Sequence, residues 1–205
     1  MTNELYQFDI EKGENIIGVD EAGRGPLAGP VVAAAVSLRE YSDALQEIND
    51  SKKLTEKKRE RLFDVIQESF HVGVGVANVE EIDSINILNA TFLAMRRAIQ
   101  ELGTKRSTES LILVDGNFKI REYKGKQEAI IKGDAKSLSI AAASIIAKVT
   151  RDRMMVAESE KYPEYHFEKH KGYGTKAHRE AILEHGVLEI HRKSFLTKIL
   201  NKSGK

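Results

Sequence analysis

Apolar positions along this chain arrive in two rhythms, short unbroken runs and longer stretches at helical spacing. Ile16, Ile17 and Val19 make the first run, a predicted strand over 16–20 that closes on Asp20. After a glycine-rich turn, residues 29–38 read as a second strand, and the short connection makes the two antiparallel neighbours. Thr55 can cap a helix that turns Leu62, Phe63 and Ile66 inward and runs to about Glu68. Residues 71–78 alternate, with Val72, Val74 and Val76 on one face and glycines between them, which predicts a third strand. An acidic stretch at 79–85 reads as a short helical turn. From Asn86, the positions Ile87, Ala90, Ala94, Met95, Ala98, Ile99 and Leu102 keep helical spacing until Gly103 stops the run. Further strands are expected at 111–115 and 127–132, joined by 117–126 as a polar hairpin connection. The strongest helical signal follows in Leu138, Ala141, Ala142, Ile145, Ile146 and Val149, with Asp134 and Ser137 both able to cap it. Beyond Tyr162 the pattern loosens into a loop around 171–175 and helical pieces near 176–185 and 194–201. Short continuous apolar runs suit strands buried on both faces, so the class is α/β.

What ends these strands is more informative than what fills them. The first closes on Asp20-Glu21, the run at 111–114 on Asp115, and the run at 129–131 is followed by Asp134. If the first two lie side by side and parallel, Asp20 and Asp115 end at one sheet edge, where open α/β sheets bind ligands, and Asp134 can join from the following turn. Adjacent strand residues face opposite ways, so Glu21 shares a site with Asp20 only if the strand breaks there. Gly23 and Gly25, both free to take positive φ, make that break plausible and let backbone N–H groups approach a substrate closely. Two carboxylates ~4 Å apart at an effective dielectric of about 20 repel by about 4 kcal/mol, so such a cluster calls for cations. All-oxygen ligands select hard ions such as Mg²⁺ or Mn²⁺, and a pair of these is the apparatus of in-line phosphodiester hydrolysis.

Composition narrows the setting. With 205 residues, 41% hydrophobic and 31% charged, the chain can bury a full core, and one domain is expected over 1–205, its last part from approximately 162 to 205 forming a helical extension. A net charge of only +1 does not announce a polyanionic partner. Its distribution does. Lys52, Lys53, Lys57, Lys58, Arg59 and Arg61 crowd one segment, and from residue 161 onward ten lysines and arginines face five acids. The absence of cysteine excludes disulfides and thiolate metal sites and fits a reducing cytoplasm, the expected location. No run of roughly 18 apolar residues exists to span a membrane, and the first fifteen residues lack the apolar segment of a signal peptide. Five of the six histidines follow residue 161, with His166 and His170 at i, i+4 spacing. Without a cysteine or an HExxH pattern these read as exposed basic surface rather than a zinc site. Nor is the Gly-Arg-Gly turn a nucleotide P-loop, since no Gly-Lys-Ser/Thr follows.

The run Gly18-Val19-Asp20-Glu21-Ala22-Gly23-Arg24-Gly25-Pro26-Leu27-Ala28-Gly29-Pro30-Val31 resembles the signature of the type 2 ribonucleases H, specifically the bacterial ribonuclease HII family. The resemblance continues in order through Asp50-Ser51-Lys52-Lys53-Leu54, Val114-Asp115-Gly116, Lys132-Gly133-Asp134-Ala135, the helix over 139–148, and His170-Lys171-Gly172-Tyr173-Gly174-Thr175. The Gly-Arg-Gly form and the lack of a large N-terminal extension look like HII rather than its HIII relative. The resemblance implies a ribonuclease H-like fold: a five-stranded mixed sheet in order 3-2-1-4-5, flanked by helices, with a helical C-terminal extension. It implies an endonuclease that cuts the RNA strand of RNA/DNA hybrids, and nicks duplex DNA 5′ of an embedded ribonucleotide in ribonucleotide excision repair. Asp20, Glu21, Asp115 and Asp134 match the family's metal-binding carboxylates, which take two Mn²⁺ or Mg²⁺ ions. The backbone around Gly23, Arg24 and Gly25, together with Tyr173, matches the part that reads the 2′-hydroxyl, the group that distinguishes RNA from DNA. Ser51 and Lys52 match phosphate contacts, suitable donors to a phosphate oxygen. No obligatory protein partner is implied, a monomer is expected, and the tail to Lys205 carries no clear sliding-clamp motif. Two other readings share the carboxylates: a nuclease on the same fold without 2′-hydroxyl selectivity, and a hybrid-binding protein without catalysis.

Overall fold

An aspartate stands just past the point where two neighbouring parallel strands stop pairing, and the register explains how. The computed structural model describes residues 3–103 and 110–200. Strands β1 (Ile16–Ala22), β2 (Val31–Leu38), β3 (Phe70–Ala77), β4 (Leu111–Asp115) and β5 (Gln127–Ile130) form one sheet in the order β3-β2-β1-β4-β5. β1 runs antiparallel to β2, and β2 to β3, while β1 is parallel to β4 and β4 to β5. Pairing between β1 and β4 stops at Val19 opposite Val114, so the next residue on each strand is an aspartate.

Alternation then sorts the side chains by face. Ile17, Val19, Ile112 and Val114 pack on α3 (Val79–Gly103) through Ala90, Ala94 and Met95. On the opposite face, Ala34 and Val36 meet α2 (Glu56–Ser69) and α4 (Leu138–Lys161) through Leu62, Ile66, Ile145 and Ile146. Each valine, leucine or isoleucine among them, withdrawn from water, contributes roughly 1.5–3 kcal/mol. Gly18 is where α4 comes closest, because a Cβ there would stand 2.1 Å from the carbonyl carbon of Ser139. Strand and helix touch backbone to backbone at that point.

Several expected boundaries are met at the caps. Thr55 accepts the Lys58 N–H at 3.3 Å at the start of α2. Asn86 breaks α3 with φ 66°, a region that asparagine tolerates, and its side chain accepts the Leu88 and Asn89 N–H groups. The acidic turn and the long helix read from the sequence are therefore the two limbs of one kinked element. Ser137 rather than Asp134 caps α4, accepting the Ile140 N–H at 3.2 Å, which leaves Asp134 to face elsewhere.

Other expectations are corrected. The 117–126 connection cannot be a hairpin, because β4 and β5 are parallel and the chain must cross back along the sheet. It does so with Ile120 buried in the core and the Gln127 side chain bonding the backbone of Ile120 and Tyr123. The polar N-terminus forms a helix, α1 (Glu4–Lys12), that was not expected. It is held by buried Asp9, whose carboxylate accepts the Ser137 hydroxyl at 2.5 Å and the Ser139 N–H at 2.8 Å. An anion is favoured at the N-terminus of α4, which Asp9 meets, although burial still raises the Asp9 pKa. α4 also runs three turns past the expected stretch.

The C-terminal elements α5 (Phe167–His170), α6 (Lys176–His185) and α7 (Lys193–Leu200) share a small core of Tyr165, Phe167, Ile182 and Leu196 around Ala28 and Met155. Residues 201–205, where the sequence shows no sliding-clamp motif, lie outside the described residues. Among the described residues no helix is long and apolar enough to cross a membrane. Gly18→Ala is expected to lower stability by about 1–3 kcal/mol by prising α4 off β1, measured as a shift in the urea midpoint at unchanged slope.

Candidate active site at the carboxylate edge of the sheet

Three carboxylates meet at this edge. One oxygen each from Asp20, Asp115 and Asp134 lies within 4.8 Å of the others, with Asp20 and Asp134 buried and Asp115 half-buried. Asp20 and Asp115 point to the α4 side by strand alternation, on the same parity as Gly18 and Leu113. Asp134 arrives from a single 3-10 turn after β5. The turn is locked onto Asp115, whose Oδ1 accepts the Gly133 N–H at 2.7 Å and the Asp134 N–H at 3.4 Å.

Glu21 lies outside the three-carboxylate group. β1 continues through Ala22 on its β2 side instead of breaking after Asp20, so Glu21 keeps the alternate face and packs toward α3. Its carboxylate pairs with the Arg24 guanidinium at 3.4 Å. It remains close enough for the Asp115 charge to act on it: burial raises its pKa first, Arg24 works against that, and Asp115 adds to it.

The electrostatics show a site short of positive charge. Burial, and then the charges of Glu21 and Asp115, hold the Asp20 carboxyl well above the usual carboxylate range. Asp134 is raised by burial, by Asp115 and by Asp50, a carboxylate outside the expected ligand set. A carboxyl whose pKa is higher in the folded than in the unfolded chain costs stability at neutral pH. The cost is relieved as pH falls through the folded pKa, or when a cation arrives. Lys52 answers in part, its Nζ 3.9 Å from Asp134 Oδ2. Burial works against its ammonium, but Asp134, Asp20, Asp50 and Asp115 outweigh it and raise its pKa. One exposed lysine does not neutralise three or four acids, and an all-oxygen donor set of this size fits a hard divalent cation.

Beside the cluster opens a cleft of about 400 Å³ lined by Asp20, Glu21, Gly23, Arg24, Gly25, Ser51, Lys52 and Tyr173. Eight of the expected site residues thus share one wall system. Ser144 and Lys148, within the 139–148 helix that carries part of the resemblance, line it too, although no site role was expected of them. They were findable, because Ile140, Ser144, Ala147, Arg151 and Met155 repeat at helical spacing on the buried face of α4, with Lys148 one turn from Ser144. The Tyr173 ring is 42% exposed and lies under two cations, Lys148 Nζ and the Arg151 guanidinium, each 5.8 Å from its centroid.

The Gly-Arg-Gly loop is built differently from the expectation. Gly23 has φ 95°, and a Cβ there would fall 2.0 Å from Arg151 Nε and 2.8 Å from the Pro30 carbonyl oxygen. Gly25 does not have positive φ, and a Cβ there would meet only the Tyr173 ring, at 3.8 Å. Conformational freedom is therefore needed at Gly23, whereas Gly25 keeps the space beside Tyr173 open. The loop's carbonyls turn inward to two buried arginines. Arg192 donates to the carbonyls of Gly23, Arg24, Gly29 and Pro30, and Arg151 to those of Ala28, Pro30 and Lys171. In a trans peptide the N–H points opposite to the carbonyl, so the N–H groups of Arg24 and Gly25 face away from Arg192. No hydrogen bond among the described residues uses either. Two backbone donors are left for something else.

Comparison with known proteins agrees with this geometry. The family model for Ribonuclease HII matches residues 17–198. The Ribonuclease HII of Fusobacterium nucleatum subsp. nucleatum is 67% identical over 202 residues, 98% of this chain and 94% of its own. The crystal structure of ribonuclease H2 from Pyrococcus horikoshii OT3 superposes with TM-score 0.73 at 30% identity, covering 94% of this chain and all of that one. The RNase HII of Archaeoglobus fulgidus, solved in complex with PCNA, gives the same TM-score at 27% identity over 90% of this chain and 96% of that one. A sheet in the order expected for that fold, an acidic edge fit for a divalent cation and a match along nearly the whole sequence together place this chain in the ribonuclease HII family of metal-dependent endoribonucleases.

Proposed function

We propose that this chain hydrolyses the RNA strand of RNA/DNA hybrids and nicks duplex DNA on the 5′ side of an embedded ribonucleotide, leaving 5′-phosphate and 3′-hydroxyl ends. The observation that carries the reading is the juxtaposition of two features in one place. Three aspartates from separate elements converge within 4.8 Å. Against them opens a cleft that presents unclaimed backbone donors and an exposed tyrosine ring.

Asp20, Asp115 and Asp134 are the residues that would hold two Mg²⁺ or Mn²⁺ ions, and Glu21, outside their group but lining the same cleft, would join them as a ligand from the other face of β1. Bound there, such ions supply activation of the attacking water and stabilisation of the leaving 3′-oxygen. The remaining residues bind and orient. The Arg24 and Gly25 N–H groups donate to the ribose 2′-hydroxyl, which accepts and donates where a deoxyribose offers only a hydrogen. Tyr173 lies against the sugar, and the open space beside Gly25 leaves room for it. Ser51 and Lys52, on the short turn before α2, donate to phosphate oxygens across the cleft. The Arg24 side chain is half exposed and paired with Glu21, so recognition in this loop belongs to its backbone.

The direct test is a DNA duplex with one internal ribonucleotide, incubated with protein and Mg²⁺ or Mn²⁺, with the ends mapped. A single cut 5′ of the ribonucleotide is expected. Cutting of an all-DNA duplex at a similar rate, or binding with no cut, would overturn the assignment.

Asp20→Asn should abolish cleavage and yet, in the presence of chelator near neutral pH, raise the melting temperature by about 2–6 °C, because it removes a buried and unneutralised charge. Divalent metal should raise the wild-type melting temperature and leave the variant largely unmoved. Gly23→Ala, which drives a methyl into Arg151, is expected to cost at least about a hundredfold in kcat/KM. Arg24→Ala should cost far less, and the opposite ordering in steady-state kinetics would reassign recognition to the side chain.

A further inference from the structure

Tyr173 is held from behind by a chain of histidines. Its amide donates to the His170 carbonyl at 2.9 Å, and its own carbonyl accepts from the Thr175 N–H at 2.8 Å. The same carbonyl lies 2.9 Å from His178 Nδ1, which must carry a hydrogen, since a carbonyl can only accept. His178 Nε2 faces His191 Nε2 at 3.0 Å. His191 Nδ1 accepts the Leu188 N–H at 2.8 Å, so this ring carries its hydrogen on Nε2 and donates it to His178. The direction of every bond is fixed from the two ends, a backbone donor at Leu188 and a backbone acceptor at Tyr173.

These rings are not the exposed basic surface expected from the sequence. His178 and His191 are both fully buried, and burial presses each pKa down to about 4, so both are neutral at physiological pH. His170 stacks on His178 with centroids 4.5 Å apart and takes the Gly172 N–H on its Nδ1. The residue after His191 is Arg192, whose guanidinium holds the Gly23 and Arg24 carbonyls. One dipeptide thus reaches both walls of the cleft.

We propose that His191 and His178 form a neutral, one-directional relay whose task is to position Tyr173 against the Gly23–Gly25 backbone, making them positioning residues for ribonucleotide recognition. The inference rests on reading Tyr173 as a sugar contact. An apolar pair would fill the same space without burying ring nitrogens; what the relay adds is a directed hydrogen bond to the main chain of that one residue.

Kinetics on the single-ribonucleotide duplex, run in a double-mutant cycle, separate this role from mere support of the fold. His178→Leu should lower kcat/KM by at least about tenfold in the otherwise unchanged protein and by less than about twofold in a Tyr173→Ala background. His178→Asn, which keeps an N–H where Nδ1 stood, should recover most of the loss. An equal loss from His178→Leu in both backgrounds would overturn the relay while leaving the sugar contact intact. Full activity of Tyr173→Ala would overturn the sugar contact, and with it the role given to the relay. A readout independent of activity is the long-range ¹⁵N–¹H spectrum of the histidines near neutral pH. Nδ1–H on His178 and Nε2–H on His191 are expected; any other tautomer pair, or an imidazolium, would overturn the proposal.

Discussion

Two guanidinium groups buried against main-chain carbonyls are the contact on which the rest of this molecule turns. Arg151 and Arg192 are 1% and 0% exposed, and neither forms an ion pair among the described residues. A buried cation without an anion is costly, and it is tolerated here because carbonyl dipoles surround it. Those carbonyls belong to Gly23, Arg24, Ala28, Gly29, Pro30 and Lys171, that is, to the Gly-rich loop and to the root of the Tyr173 loop. Turning the oxygens inward turns the amides outward. A carboxylate partner would have satisfied the arginines equally well but would have left the loop free to choose its own conformation. Burial and the neighbouring Arg151 charge lower the Arg192 pKa, so both work against the cation that the carbonyls stabilise.

The acidic edge shows the opposite imbalance. There negative charge is gathered beyond what the protein neutralises, at the end of strands whose positions are fixed by Val19 and Val114 on one face and by the approach of α4 at Gly18 on the other. A surplus of cation lies inside the loop wall and a surplus of anion at the sheet rim. The substrate proposed for the cleft carries both a phosphate for Ser51 and Lys52 and a hydroxyl for the amides, and a divalent metal would answer the rim.

Much of this was legible in the sequence because strand ends are local. A run such as Leu111 to Val114 says that it is a buried strand, and the aspartate after it says where the strand meets water. Thr55 and Ser137 cap within three residues of themselves, so both could be named from the sequence, Ser137 alongside Asp134. Glu21 could not be settled, since its face depends on how far β1 pairs with β2 beyond Asp20, a property of another segment. The crossover at 117–126 failed for a related reason: polar composition suits a turn, and only the direction of β5 excludes one. Arg151, Arg192, His178 and His191 were the least visible, because a polar residue reads as surface until its partner is known, and these partners are backbone atoms or residues far away in the chain. Arg151 alone left a trace, lying on the apolar face of α4 in line with Ile140 and Ala147.

Arg192 binds the Gly23 carbonyl across a separation of 169 residues. During synthesis the sheet strands, the aspartates and the first arginine all emerge from the ribosome while this clamp is still missing, and domains generally fold as units as they appear. The bonds to the Gly23 and Arg24 carbonyls therefore cannot close until translation has passed Arg192, so a segment late in the chain completes the wall that an early one begins.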